Sequence, residues 1–350
     1  MRTLFITITT FLALCSNAQD TVKVASQLTP EQQAEADYNS GIDRLKNNDF
    51  VTAIDYFTKS IANKPTFDKA LYNRAIALTQ VKRYPEAYAD VNSVLKLNPQ
   101  NQEAYFTKSL IFFAEHKKDS QMVALNKCLG IKDSHAEANY YKGLLHYEAG
   151  EYKLAISAYD KAILSNGSYV YAYNDRGSAK RALGDYKGAV SDYEKAISLD
   201  DKQAFIYNNL GSAYRDDKNF VKAADAYSRA LQVNDKYLIA LTNRGAARLE
   251  SGNINGAKMD FEEALKKDPN NSSACNGMAS VYIKQKEYQK AKDMATKAIQ
   301  NNGKNGPAYY NRGIARQMLR EEEGCCADWK KAYELGVSAA KSFINSDCGE

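Results

Sequence analysis

The sequence predicts an all-α protein, an α-solenoid of about nine tandem helical hairpins of 34 residues each, closed by a C-terminal capping helix. The first observation behind this prediction is a period. From Ala34 onward the chain repeats every 34 residues as far as Ala339, without insertion or deletion. The second is composition, because 44% hydrophobic residues with only 6 Pro and 19 Gly exclude collagen, a disordered chain and a multi-span membrane protein.

The first residues predict a leader. A basic residue precedes an apolar stretch over residues 4–14, and small residues lead up to Ala18, as in a secretory signal peptide. We therefore predict a signal peptide over residues 1–18 and an exported mature chain, either periplasmic or secreted. Lipoprotein processing at Cys15 is the alternative, although Leu14 is bulky where that enzyme prefers a small residue.

Residues 19–33 are predicted to form a flexible tether and the start of the first helix, with Thr29 as its cap and Pro30 in its first turn. Nine repeats follow, and the 34 places of each repeat are numbered from its first residue. The repeats span 34–67, 68–101, 102–135, 136–169, 170–203, 204–237, 238–271, 272–305 and 306–339. Residues 340–350 are predicted to cap the last hairpin, because no tenth repeat covers its apolar face.

Small residues recur where the two helices of one hairpin must cross. Place 8 holds Gly, Ala or Ser in every repeat, and place 20 holds Ala in seven of the nine. Two helices approach closely only where neither carries a large side chain. The mostly aromatic place 17 is predicted to fill the space beside the crossing, so that each repeat forms a helical hairpin.

These places resemble the tetratricopeptide repeat family, and the resemblance covers 306 of the 350 residues. It implies a right-handed superhelix in which the first helices line a concave groove and the second helices lie outside. The third repeat departs most from the pattern, with Ser109 and Gln121 at small-residue places and Lys118 at the aromatic place.

Places 7 and 23 carry a charge pattern. Four repeats have Arg at place 7, and the same four repeats alone have Asp at place 23. The pairs are Arg74 with Asp90, Arg176 with Asp192, Arg244 with Asp260, and Arg312 with Asp328. Because the two places face each other across the hairpin, we predict a structural ion pair in each of these repeats, which fixes register more than it adds stability.

Five cysteines follow the leader. Cys128 and Cys275 fall at buried places and are predicted to be small core residues. In an exported protein Cys348 is expected to form a disulfide with one of the adjacent residues Cys325 and Cys326. The segment around that adjacent pair resembles the last-repeat cap of exported tetratricopeptide proteins, which favours Cys326. A vicinal redox pair is the functional alternative.

Place 5 of the first helices changes character along the array. The first four repeats carry aromatic rings there, Tyr38, Tyr72, Phe106 and Tyr140, joined by Phe113 and Tyr147 at place 12. Repeats five to eight carry amides and hydroxyls instead. A contiguous exposed apolar strip usually marks a contact site, so these rings are expected to bind an apolar or amphipathic segment of a partner. Place 9 changes in the same way, from aliphatic residues in repeats one to four to small or hydroxyl residues in repeats five to eight, and there packing between neighbouring repeats is an equal alternative.

Place 6 carries an amide in five repeats: Asn39, Asn73, Asn209, Asn243 and Asn311. A side-chain amide can satisfy both the donor and the acceptor of an extended peptide backbone. The column resembles the asparagine ladder of some tetratricopeptide proteins, which holds extended peptides largely independently of their sequence. We therefore expect these five residues to contact the partner as well.

The predicted function is a non-catalytic scaffold or adaptor that binds protein or peptide segments in its groove, within a cell-envelope or secreted assembly. Too little chain lies outside the repeats for a catalytic domain, and no catalytic residue or cofactor is predicted. His116, His135 and His146 lack metal-ligand spacing, so no metal is predicted. The formal net charge of +5 is too small to favour nucleic acid. A glycan-binding groove is the alternative, and an enzyme is a more distant one.

Overall fold

The computed structural model describes residues 28–348, which fall into two compact bodies. The predicted signal peptide, Cys15 and the tether as far as residue 27 lie outside the described residues, as do residues 349 and 350. The described residues form nineteen α-helices and no strand, which confirms the all-α class. No helix in this part of the chain is long and apolar enough to cross a membrane.

The N-terminal body ends at Pro99 and holds two hairpins. Its helices are α1 (Pro30–Lys46), α2 (Phe50–Asn63), α3 (Asp68–Gln80) and α4 (Tyr84–Leu97). At the start of α1 the Thr29 side chain accepts a hydrogen bond from the Gln32 N–H, and the Thr29 N–H donates to the Gln32 side chain. This reciprocal cap satisfies N–H groups that the first turn of a helix leaves unpaired, which is why the helix begins here.

The C-terminal body begins at Gln100 and holds seven hairpins and a short last helix. Its helices are α5 (Gln102–Ala114), α6 (Lys118–Ile131), α7 (Ala136–Glu148), α8 (Tyr152–Ser165), α9 (Val170–Ala182), α10 (Tyr186–Leu199), α11 (Ala204–Asp216), α12 (Phe220–Val233), α13 (Leu238–Glu250), α14 (Ile254–Lys267), α15 (Ser272–Lys284), α16 (Tyr288–Asn301), α17 (Gly306–Met318), α18 (Glu322–Glu334) and α19 (Ala340–Asp347). Each odd-numbered helix from α5 to α17 packs against the helix that follows it, and also against the second helix of the preceding hairpin within this body. The helical-hairpin repeats and the short C-terminal helix are therefore confirmed.

An aromatic ring lies against a glycine at the crossing point of most hairpins. The pairs are Gly41 with Phe57, Gly143 with Tyr159, Gly177 with Tyr193, Gly211 with Tyr227, Gly245 with Phe261, and Gly313 with Trp329. A Cβ added at Gly211 would lie 2.7 Å from the Tyr227 ring, so only glycine leaves room for it. The ring comes from place 24, whereas the aromatic residues of place 17 stand half-buried at the start of the second helices.

The four Arg and Asp side chains predicted to pair lie 2.6–2.7 Å apart, between the two helices of one hairpin. In three repeats a second cation from place 11 reaches the same carboxylate at 2.7–2.8 Å. These contacts are Lys180 with Asp192, Arg248 with Asp260, and Arg316 with Asp328. The carboxylates are almost fully buried. Removing a carboxylate from water costs free energy, and two cations offset more of that cost than one cation does.

Helix α19 closes the last hairpin through aromatic packing and a disulfide. The Phe343 ring lies 4.8 Å from Trp329 and 5.7 Å from Tyr310, measured between ring centroids. Cys326 and Cys348 form the disulfide, with their Cα atoms 5.5 Å apart. Cys325, the other candidate, is buried in the same apolar cluster. Cys128 and Cys275 lie outside the disulfide and are buried, and burial raises the pKa of both thiols, which suits core residues.

Candidate functional site

The first helices α9, α11 and α13 present a partly exposed apolar strip at place 2. Its members are Tyr171, which is 49% exposed, Ile239, which is 57% exposed, and Phe205, which is half-buried. The Tyr171 and Phe205 rings are parallel, with centroids 6.3 Å apart, so the strip continues from one helix to the next. The preceding first helices α5 and α7 carry the exposed carboxylates Glu103 and Glu137 at this place. The strip therefore belongs to the repeats whose place 5 is polar.

Beside the strip, side chains at place 6 bond to place 5 of the preceding first helix. Asn209 Nδ2 donates to Asn174 Oδ1 at 3.0 Å, Asn243 to Asn208 at 2.9 Å, and Asn311 to Asn276 at 2.8 Å. The same two places are joined where Asn73 donates to the Tyr38 hydroxyl at 3.3 Å and the Tyr140 hydroxyl donates to Asp175 at 2.8 Å. The place 6 side chains, which are expected to contact a peptide, thus also link consecutive repeats.

These links leave hydrogen-bonding capacity unused. An amide side chain has two N–H donors and a carbonyl acceptor, and each link takes one donor from place 6 and one acceptor from place 5. Among the described residues, Asn209 Oδ1 and Asn243 Oδ1 accept no side-chain hydrogen bond, and Asn276 Nδ2 donates none. The row can therefore still pair with the backbone of a bound segment. Asn39 at the start of the column is exposed in the N-terminal body.

The row of links has a gap at α15, where place 6 is Gly277. With no side chain, Gly277 cannot reach Thr242, which instead donates its hydroxyl to the backbone of its own helix. A hollow of about 470 Å³ opens between α13, α15 and the start of α17. Its wall includes Asn243, Asn276 and Ser280 on the polar side, and Ala246, Leu249 and Phe261 on the apolar side.

The aromatic residues of place 5 do not form the free strip that the sequence led us to expect. Tyr38, Tyr72, Phe106 and Tyr140 are all half-buried. Tyr38 packs on Phe67 with centroids 5.0 Å apart, and Phe106 lies against the core cluster of Leu125 and Cys128. Rings at this place are large enough to fill the space between neighbouring helices, so much of their surface serves packing.

Tyr140 lies in the most polar part of this aromatic region. Its ring contacts Tyr169 at 4.9 Å and Tyr159 at 5.9 Å between centroids, while its hydroxyl bonds to Asp175. Burial raises the pKa of Tyr140 and also the pKa of the Asp175 carboxyl, although hydrogen bonds from Tyr140 and Asn174 lower the latter in part. No Lys or Arg of the described chain pairs with Asp175.

The two predicted residues of place 12 lie apart from the apolar strip. Phe113 is 46% exposed and lines a smaller hollow of about 240 Å³ with Tyr141 and His116. Tyr147 is half-buried, and its ring packs edge-on against Tyr152 with centroids 5.4 Å apart. Phe113 therefore remains available to a ligand, whereas Tyr147 mainly covers its own hairpin.

The histidines have local roles. The ring of His135 caps α7 by accepting a hydrogen bond from the Ala138 N–H, and His146 lies 2.6 Å from Glu151. Within residues 28–348 no three His, Cys, Asp or Glu side chains come together in a way that could hold a metal ion.

Four residues of the site were not singled out by sequence reasoning: Tyr171, Phe205, Ile239 and Gly277. A signal for them exists, because place 2 changes from charged in the first four repeats to apolar in the next three. Gly277 is likewise the one glycine in the column of place 6.

Tandem hairpins whose first helices bond to one another define a helical-repeat protein. Models of the tetratricopeptide repeat match residues 38–102, 123–169, 206–237 and 248–311, and a model described as TPR repeat matches residues 177–218. Together the matches cover more than half of the sequence, and the chain is a tetratricopeptide repeat protein.

Solved structures share the fold. A tetratricopeptide repeat protein from Parabacteroides merdae ATCC 43184 superposes with a TM-score of 0.63 at 19% identity, over 71% of this chain and 100% of that one. PilF of Pseudomonas aeruginosa gives 0.50 at 21%, over 61% and 98%. PilW, a widely conserved type IV pilus biogenesis factor, gives 0.52 at 16%, over 59% and 96%. At such identities the likeness shows the fold alone. The curated proteins contain no significant match.

Proposed function

We propose that the protein is an exported, non-catalytic adaptor that holds an extended segment of a partner protein against the first helices of its C-terminal body. One observation carries the proposal: a partly exposed apolar strip and a row of amides with unused donors and acceptors lie on the same helices. An extended segment needs both, because its backbone seeks hydrogen bonds while alternate side chains seek apolar contact. The place 5 rings are largely packed, so the proposed contact surface is at place 2.

Export is part of the proposal and rests on two features. The leader predicted over residues 1–18 is one, and the disulfide between Cys326 and Cys348 is the other, since such bonds persist in oxidising compartments. Fractionation of cells that express the full gene with a C-terminal tag tests this part. Recovery in the cytoplasm with an uncleaved leader would contradict it, and recovery with the membrane through Cys15 would favour the lipoprotein alternative.

Binding is tested with peptides selected from a random linear library on the purified protein. A triple variant, Tyr171→Ala, Phe205→Ala and Ile239→Ala, is expected to lower the affinity of the selected peptides by about tenfold or more, because it removes the apolar strip. The matched control removes exposed apolar side chains from second helices of the same body, through Leu154→Ala, Leu164→Ala and Val221→Ala.

The control variant should bind the peptides as the unmodified protein does, and helical content is checked for both variants. Equal loss in both variants, or no selectable peptide at all, would contradict a peptide-binding face. If no peptide can be selected, a glycan array is the next test. Binding of the unmodified protein to a glycan, lost in the triple variant, would support the glycan alternative.

A further inference from the structure

The hollow beside Gly277 is a separate feature within the face described above. Three of the four pairs of neighbouring first helices from α9 to α17 are joined by an amide at place 6 that bonds to an amide at place 5 of the preceding helix. The exception is the pair α13 and α15. At Gly277 the amide link is missing, and the hollow lies there instead. The hollow therefore coincides with the missing link, and it interrupts a row that is otherwise closed over these helices.

The Phe261 ring explains why place 6 is glycine here. This ring, 2% exposed, lies under both Gly245 of α13 and Gly277 of α15, and a Cβ at Gly277 would overlap its edge. The ring thus lies beneath the hollow, where place 6 of α15 has no side chain. A preformed opening lined in part by apolar side chains costs little reorganisation when a side chain enters it.

The polar groups at the mouth of the hollow are an acceptor and a donor. Asn243 Oδ1 accepts no hydrogen bond from the described residues, and Asn276 Nδ2 donates none to them, although the other atoms of both amides are engaged in links. An extended peptide offers an N–H and a C=O at each residue, so it can satisfy both amides with one residue. The two groups stand on the neighbouring helices α13 and α15, and both residues line the hollow.

Charge limits what the hollow accepts. Of the described residues that line it none is Lys or Arg, and the one ionisable side chain is Glu250, which is exposed. A phosphate or an acidic side chain would find no counter-charge, and a basic side chain would find only the solvent-exposed Glu250, so burying either charge in the hollow would be costly. A sugar ring would find no open stacking surface, because the only aromatic ring in the lining is the buried Phe261.

We propose that this hollow is an anchor pocket that takes one uncharged, apolar or aromatic side chain of the bound peptide segment, while Asn243 and Asn276 bond to the backbone of that same residue. The proposal rests on the proposed function and adds the chemistry of the partner. The polar row holds many extended segments, and the pocket selects among them. The exposed Ile239 lies at its rim and extends the apolar contact toward the strip.

The test fills the pocket from one small residue of its wall. Ala246 is half-buried and lines the hollow, and its place carries Leu in two other repeats, so Ala246→Leu fits the helix. Peptides selected on the unmodified protein should share an apolar or aromatic residue at one position. Alanine at that position, or Ala246→Leu in the protein, should each weaken binding about tenfold or more, and the two changes together should weaken it little further.

Two further variants keep the outcome clear. Ala62→Leu, at an exposed position of α2, is the matched control and should bind as the unmodified protein does. Ile239→Trp, at an exposed rim position, covers the mouth of the pocket and should reproduce the loss if Ala246→Leu unfolds the chain. Selected peptides that bind equally to Ala246→Leu and Ile239→Trp, or that share an acidic residue, would overturn the pocket while leaving peptide binding intact. Failure to select any peptide would overturn the proposed function and the pocket together.

Discussion

Helices α7 and α11 occupy equivalent positions in their repeats and distribute polarity in opposite ways. In α7 the ring of Tyr140 lies between neighbouring helices and the carboxylate of Glu137 faces solvent. In α11 the amide of Asn208 is buried between neighbouring helices, and the ring of Phe205 lies at the outer place. Apolar residues that remain available for binding therefore lie on helices whose inner places, 5 and 6, are polar.

The physical reason is that a first helix must bond or pack to the next one through places 5 and 6. Rings do so mainly by packing area, with a hydroxyl hydrogen bond added at Tyr38 and Tyr140, whereas amides do so by hydrogen bonds that leave one donor or acceptor spare. Only the amide links leave unused polar groups beside the apolar residues of place 2. The amide region from α9 to α17 is therefore equipped for an extended ligand, and the aromatic region of α5 and α7 is equipped mainly for its own packing.

The largest expected difference between the two regions concerns the buried carboxylates. Asp260 is 2% exposed and lies 2.7 Å from both Arg244 and Arg248, whereas the hairpin of α7 has Lys142 and Ala158 at places 7 and 23. Asp260→Ala leaves two cations without their counter-charge, and we expect it to lower the free energy of unfolding by about 3–5 kcal/mol. Urea denaturation followed by circular dichroism measures this.

The control is Asp225→Ala on α12, where the carboxylate is exposed, and a change of within about 0.5 kcal/mol is expected. If the loss for Asp260→Ala stayed below about 1 kcal/mol, the ion pairs would not distinguish the amide region energetically.

A second, smaller difference concerns tyrosine hydroxyls at place 24. The Tyr193 hydroxyl lies 3.0 Å from Ser178 Oγ, but in the aromatic region the equivalent partner is Leu144, and the Tyr159 hydroxyl is buried without a hydrogen bond among the described residues. Tyr193→Phe should therefore cost about 1 kcal/mol, and Tyr159→Phe should stabilise by a similar amount. Urea midpoints of the two variants check this pair, and equal losses would show that Tyr159 has a partner in solution.

Much of the fold follows from the sequence, because a helical hairpin of fixed length repeats in register and each crossing requires a small residue. The rings that face those glycines could have been found in the same way. Repeats with Gly at place 8, such as those of Gly177 and Gly211, have an aromatic residue at place 24, and repeats with Ala or Ser there do not. The ion pairs were visible for the same reason, since both partners lie within one repeat.

The site is harder to predict because its contacts join one repeat to the next. A link such as that of Asn243 to Asn208 spans 35 residues and depends on how the two hairpins stack. The sequence shows an amide at each place, and that pattern fits a ligand contact and an internal link equally well. Gly277 is visible as an exception, but the hollow also depends on the orientation of the Phe261 ring, which no local pattern specifies.

The smallest expected effect concerns the boundary between the two regions, where Asp175 stands at a place that carries Asn in α11 and α13. Burial raises the pKa of its carboxyl in the folded protein, so the folded state holds this proton more tightly than the unfolded chain does. The resulting stabilisation is complete below the pKa of the unfolded chain and is lost as the pH rises through the raised pKa.

Asp175→Asn keeps the shape and an acceptor for the Tyr140 hydroxyl, so it should remove this pH dependence and leave the variant more stable than the unmodified protein at pH 7. Unfolding free energies at pH 4 and pH 7 measure the difference, with Asp225→Asn on an exposed surface as the control. A variant that is less stable at pH 7 would mean that the carboxylate charge is compensated in solution, and the boundary would then resemble the ion-paired hairpins rather than the amide row.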